Sequence, residues 1–221
     1  MYQHVWNSGD AVALGVGKAV CVGRNYVAHA KELNNPIPDS PLLFIKPASA
    51  FCDFQAPLAL NAALGEHHYE AELVLLVGET INSNTRAPLQ HICGIATGLD
   101  LTLRDLQTKL KQQGHPWECA KAFDQSCALT PFTPVQGLDE NTELHYRFWQ
   151  NDVLKQHGDS SLMIFSLATL LSEISRYFTL HPGDIIMTGT PQGVGALKEG
   201  DTLTLQLQDA PRYTSSVTVR R

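Results

Sequence analysis

The sequence is short of charge and has no cysteine framework. Charged residues make up 17% of the 221 positions, below the roughly 25% usual for soluble domains. Hydrophobic residues reach 43%, so a disordered chain is excluded. Lys and Arg number 16 against 22 Asp and Glu, a formal net charge of −6. Neutralising phosphates takes a cationic surplus, so no nucleic-acid partner is expected. The cysteines Cys21, Cys52, Cys93, Cys119 and Cys127 are odd in number and form no Cys-x-x-Cys pair. A disulfide framework and a zinc ribbon are both poor readings of that pattern, and most of these thiols read as small buried hydrophobes. No stretch of about 18 apolar residues occurs, so no membrane partner is expected. Residues 1–20 also lack the basic-then-apolar pattern of a signal peptide. A cytoplasmic protein is the expectation.

Several catalytic signatures are missing too. Gly15-Val16-Gly17 opens like a dinucleotide loop, but Val20 stands where the third glycine belongs. Gly189 to Gly195 is glycine-rich but lacks the Gly-Lys-Ser/Thr ending of a phosphate loop. Neither His-Glu-x-x-His nor Gly-x-Ser-x-Gly occurs, which argues against a zinc or serine hydrolase of the usual kinds.

What is present is a chain cut into short segments by 16 Gly and 12 Pro. That punctuation predicts an α+β fold, mainly β, as one domain over residues 1–221. Tyr69 to Val77 is the strongest strand, its Leu73-Val74-Leu75-Leu76-Val77 body apolar on both faces and therefore buried. Thr102 to Gln113 reads as a helix with a capping box from Thr102 and Asp105 and a stop at Gly114. Leu103, Leu106, Gln107 and Leu110 share one face of it, which puts a polar Gln107 on an apolar stripe. Leu162 to Phe178 reads as a second helix, with Leu167, Leu170, Leu171 and Ile174 inward. Leu144 to Gln150 alternates and turns at Asn151-Asp152.

The acidic residues are placed unusually. Glu70 and Glu72, two apart on a strand, point to one face where it enters its apolar body. Asp100 ends another apolar stretch, Ile95 to Leu99. A solvated strand end is the ordinary reading of Glu-x-Glu alone. Buried carboxylates, however, must be paired, protonated or bound to a cation, and three together repel without one. An all-oxygen donor set selects a hard ion, Mg²⁺ first and Mn²⁺ next.

Seven blocks in order carry a resemblance to a known family. They are Gly23-Arg24-Asn25-Tyr26 with His29 and Glu32, Phe44-Ile45-Lys46-Pro47, and His68-Tyr69-Glu70-Ala71-Glu72-Leu73. Next come Gly98-Leu99-Asp100 with Arg104-Asp105, Trp117 to Asp124 around Lys121, Thr188-Gly189-Thr190-Pro191, and Gly193-Val194-Gly195. Over about residues 15–205 the chain resembles the fumarylacetoacetate hydrolase family, in its short acylpyruvase branch. Two positions depart from the pattern: Ala122 replaces a serine common after the lysine, and Ala71 a frequent glycine between the glutamates.

The resemblance implies a mixed β-roll or β-sandwich with short helices, one divalent metal on Glu70, Glu72 and Asp100, and a homodimer. It implies a small-molecule 2-oxo acid substrate, an acylpyruvate cleaved between C3 and C4 to pyruvate and a carboxylate. His29, oriented by Glu32 three residues on, is then the base for an attacking water. Lys121 binds the substrate carboxylate or stabilises the enolate, and Gln107 orients the water or a substrate oxygen. Gly189 and Thr190 offer a tight turn to a carboxylate, and Arg24 and Lys46 an acidic substrate tail. Oxaloacetate decarboxylation through the same enolate, isomerisation of an unsaturated 2-oxo-diacid, and a non-catalytic scaffold are the alternatives.

Overall fold

The computed structural model describes residues 2–220. Sixteen strands and four short α-helices are defined among them. The helices are α1 (Val27–Glu32), α2 (Arg104–Gln113), α3 (Glu118–Lys121) and α4 (Leu167–Ser175).

The larger sheet runs Leu43–Lys46, Ala19–Val22, Ile185–Met187, Ala71–Val77, Ile92–Asp100, Cys127–Leu129, Phe51–Asp53, with Thr133–Pro134 also paired to Ile92–Asp100. A five-stranded sheet of Val153–Asp159, His145–Gln150, Thr202–Leu207, Tyr213–Arg220 and Leu58–Asn61 packs against it. The period of two along Ala71–Val77 explains why both faces are apolar. Leu73, Leu75 and Val77 join Tyr146, Phe148, Leu203 and Leu205 in the core between the sheets. Val74 and Leu76 point the other way, into a second core with Cys21, Phe44, Ala96, Phe132 and Met187. The fold is the expected mainly-β α+β arrangement with short helices.

The sequence boundaries move in informative places. The strand expected over Tyr69 to Val77 is broken at Glu70: His67–Tyr69 belongs to a small third sheet with Thr102–Leu103 and Gly195–Ala196, and Ala71–Val77 to the large one. The expected capping box does not form. Thr102 is in a strand and its hydroxyl donates to Asp100 O at 3.2 Å, so α2 begins two residues later with no side-chain cap. The second helix is confined to α4, capped by the Ser166 hydroxyl accepting from Thr169 N at 3.3 Å, and buries the four expected residues. Asn151 and Asp152 both take positive φ, 52° and 60°, as a two-residue hairpin turn requires. All five cysteines are free, but only Cys21 and Cys127 are buried, so the thiols are less internal than their residue type alone suggests.

Candidate active site

Three elements bring the acidic residues together. Glu72 pairs with Gly98 across the ladder of Ala71–Val77 and Ile92–Asp100, and Glu70 O accepts from Asp100 N at 2.8 Å. By the period of two, Glu72 and Asp100 share the face of Val74, Leu76 and Ala96, away from the five-stranded sheet. Glu70 joins them because the chain changes sheets there. Ligand oxygens of Glu70, Glu72 and Asp100 all lie within 4.8 Å of one another, and all three residues are buried.

Three cations compensate them. Lys121, 1% exposed at the end of α3, donates from Nζ to Glu70 Oε2 at 2.7 Å, Asp100 Oδ2 at 2.6 Å and Thr102 Oγ1 at 2.7 Å. Its ammonium also stands 5.3 Å from the centre of the Phe44 ring. Arg104, first residue of α2, bonds Glu70 Oε1 through Nη2 and Gln107 Oε1 through Nη1 at 2.7 Å. Lys46 Nζ is 2.8 Å from Asp100 Oδ1, yet its donors go to Lys121 O, Ser126 O and Ser126 Oγ. Asp100 Oδ1 therefore feels a charge but receives no directed hydrogen bond, and is a buried oxygen without a donor.

These contacts move the titrations apart. Burial pushes the Glu70 carboxyl up, but Lys121 and Arg104, with a smaller share from His29, outweigh it and hold it well below the usual range. Burial, followed by the Asp100 charge, drives Glu72 well above that range, although Gly189 N donates to Glu72 Oε2 at 2.7 Å. Burial lowers the Lys121 amine, and Asp100 and Glu70 more than restore it, so it stays charged. The donor set fits a divalent cation: three carboxylates, hard oxygens only, one of them an orphaned buried atom.

The remaining expected residues divide into those at the cluster and those committed elsewhere. His29 is buried in α1, with Nδ1 3.2 Å from Glu32 Oε2. Glu32 Oε1 accepts from Gly193 N at 2.9 Å, which ties α1 to the glycine-rich turn. Gln107 is buried on the α2 stripe and accepts from Arg104, leaving its amide nitrogen without a partner among the described residues. Thr190 hydroxyl donates to Ala71 O at 2.8 Å and accepts from Gln156 Nε2 at 2.8 Å, so only its backbone N–H is left for a ligand. The Gly189 N–H is spent on Glu72. Gly189 has φ +99°, and a Cβ there would meet Asn25 Cβ at 2.7 Å, so the turn requires glycine.

Lys46 does not face a substrate tail. It is fully buried behind Asp100 with its donors committed, which makes it a charge-compensating residue. Arg24 is half-buried, and its side chain bonds only Pro36 O, at 3.4 Å. Sequence reasoning gave no site role to Arg104 or Gln156, and took Thr102 for a helix cap and not a partner of Lys121. Arg104 was legible as the i−3 neighbour of Gln107; Gln156 was not, because it arrives from the five-stranded sheet. A cavity of about 740 Å³ lined by Tyr2, Phe51, Cys52 and Asp124 contains none of the acidic cluster, so charge and not volume marks this site.

Residues 18–218 match the fumarylacetoacetate (FAA) hydrolase C-terminal family, and the chain belongs to that family of enzymes. It is 44% identical over 209 residues to the oxaloacetate tautomerase YcgM of Escherichia coli (strain K12), covering 93% of this chain and 94% of that one. A solved structure assigned to the fumarylacetoacetate hydrolase family, from Yersinia pestis CO92, superposes with a TM-score of 0.94 at 38% identity, covering 98% of this chain and 100% of that one. The fumarylpyruvate hydrolase of Pseudomonas aeruginosa, solved with Mn²⁺ and pyruvate, superposes with a TM-score of 0.87 at 33% identity, covering 98% and 95%.

Proposed function

We propose that this chain moves a proton between C3 and the 2-oxo oxygen of a 2-oxo acid, with the enol–keto conversion of oxaloacetate as its reaction. The observation that carries the reading is the buried carboxylate cluster with the Lys121 ammonium inside it and the His29–Glu32 pair beside it. Similarity to an oxaloacetate tautomerase over almost the whole chain supports the choice of substrate.

Mg²⁺, or Mn²⁺ as in the fumarylpyruvate hydrolase, held by Glu70, Glu72 and Asp100 would supply Lewis-acid polarisation of the 2-oxo group. The chain's own residues supply the rest. Glu32 holds His29 Nδ1 and so fixes which ring nitrogen carries the proton, leaving Nε2 as the shuttle. The enol O–H loses its proton, C3 gains one, and the negative charge that develops between the two events lies beside Lys121. Gln107 and the Thr190 N–H orient the substrate's oxygens.

Acylpyruvate hydrolysis is the second reading, favoured by the similarity to fumarylpyruvate hydrolase. There the same His29 Nε2 would take a proton from water as its oxygen adds to C4; the C3–C4 bond then breaks with its electron pair leaving on C3 as the pyruvate enolate, and C3 takes up a proton to give pyruvate. Assays of enol-oxaloacetate, fumarylpyruvate and acetylpyruvate with Mg²⁺ separate the readings. Fast ketonisation with slow hydrolysis is expected, and His29→Gln should lose at least about a hundredfold in the proton-transfer rate. Hydrolysis without any gain in ketonisation overturns the primary reading.

A further inference from the structure

Two cations that the acidic cluster does not use meet at the loop after α1: Lys111, exposed on α2, and the half-buried Arg24. Lys121 pairs with both Glu70 and Asp100, Arg104 with Glu70 and Lys46 with Asp100, so the ionised acids of the cluster are already compensated, while Glu72 has no cationic partner among the described residues. Arg24 and Lys111 have no carboxylate within ion-pair reach among the described residues. Each rests on a neutral partner in the loop after α1: Lys111 Nζ donates to Asn35 Oδ1 at 3.0 Å, and Arg24 Nη1 to Pro36 O at 3.4 Å.

The helix places Lys111 deliberately with respect to the cluster. Arg104, Gln107 and Lys111 fall at i, i+3 and i+7 on α2, one stripe that leads outward from Glu70. Seven residues advance about 10 Å along the axis. A long helical side chain leans back toward the N-terminus, which carries the Lys111 ammonium part of the way toward the cluster. The charges register one another: after burial, Arg24 and Arg104 depress the Lys111 amine, and Glu70 opposes them.

We propose that Lys111, together with Arg24, is the subsite for the second carboxylate of the substrate, and selects dicarboxylic over monocarboxylic 2-oxo acids. This rests on the reading of the cluster as a 2-oxo acid site. The substrate's 2-oxo carboxylate end lies at Gln107 and Lys121. Its far carboxylate replaces Asn35 and Pro36 as acceptor for two cations that otherwise have only neutral ones. An ammonium and a guanidinium donating to one carboxylate are charge-assisted bonds, stronger than the neutral contacts they replace.

The test compares 2-oxoglutarate with 2-oxovalerate, equal in length and different only in a terminal carboxylate. Binding of each to the Mg²⁺-loaded full chain is measured by isothermal titration for wild type, Lys111→Gln and Lys111→Arg. Wild type should prefer the diacid. Lys111→Gln should weaken the diacid about tenfold and change the monoacid by less than about twofold, and Lys111→Arg should retain the preference. Equal changes for both acids, an unchanged diacid, or no binding of either overturns the proposal. Ketonisation of enol-oxaloacetate is followed on the same samples. Selectivity without turnover would reject the functional reading alone; turnover with unaltered selectivity in Lys111→Gln would reject the subsite alone.

Discussion

Lys121 and Glu72 sit within one cluster but are predicted to respond to substitution with opposite sign. Lys121 is bonded to two carboxylates and a hydroxyl in a dry setting. Lys121→Met leaves Glu70 and Asp100 under-compensated and should cost the metal-free protein about 3 kcal/mol, read as a lower urea midpoint. Glu72 is held above the ordinary carboxylate range by burial and by Asp100. A carboxyl raised in the folded state is a cost that appears as pH rises past its unfolded value near 4.5. Glu72→Gln should therefore raise the metal-free Tm at neutral pH, by roughly 2–4 °C per kcal/mol relieved, and leave it unchanged well below that value. The same variant should lose Mg²⁺ binding. A lower Tm for Glu72→Gln at pH 7 would mean that its ionised form is stabilised by the fold.

At the scale of elements, the break at Glu70 matters more than any single strand. A continuous strand over Tyr69 to Val77 explains the apolar body but not how Glu70 reaches Glu72 and Asp100; the change of sheet does. Period-two patterning could show the first and not the second, because pairing with Thr102–Leu103 is a long-range event. The Thr102 misreading has the same origin. A hydroxyl that looks like a helix cap is engaged by Lys121, a residue 19 positions away. Local signals were sufficient where the structure is local: the inward face of α4, though not its Ser166 start, the Asn151-Asp152 hairpin, and the His29–Glu32 pair on α1. The N-terminal segment makes a separate prediction. His4 is buried against Phe51 and Phe132 and bonds Gly183 O through Nε2 at 3.0 Å. Burial depresses its imidazole below 6.5, and the Gly183 bond recovers only part. Below pH 6.5 the unfolded chain binds a proton that folded His4 refuses, so stability should fall by up to about 1.4 kcal/mol per pH unit from this group. Denaturant titrations of His4→Phe between pH 7 and 5 should show a shallower slope than wild type; parallel slopes would assign the acid sensitivity to other groups.

For the molecule as a whole, a chain with few charges spends an unusual share of them inside. Six ionisable groups, Glu70, Glu72, Asp100, Lys46, Lys121 and Arg104, meet in one place, and five of the six are buried. The carboxylates and Lys121 could be singled out in the sequence because their neighbours are apolar. Arg104 and Lys46 were legible as residues but not in their roles, which depend on which carboxylate oxygen each reaches. Such a cluster costs desolvation energy that simple packing would avoid, and the proposed metal-assisted proton transfer would account for it. The most direct test is the rate of enol-oxaloacetate ketonisation as Mg²⁺ is titrated into EDTA-treated wild type and Asp100→Asn. A saturable, enzyme-dependent acceleration is expected in wild type, and Asp100→Asn should lose it by at least about a hundredfold. Full activity in EDTA, or an equal Mg²⁺ response in both proteins, would contradict metal-assisted proton transfer.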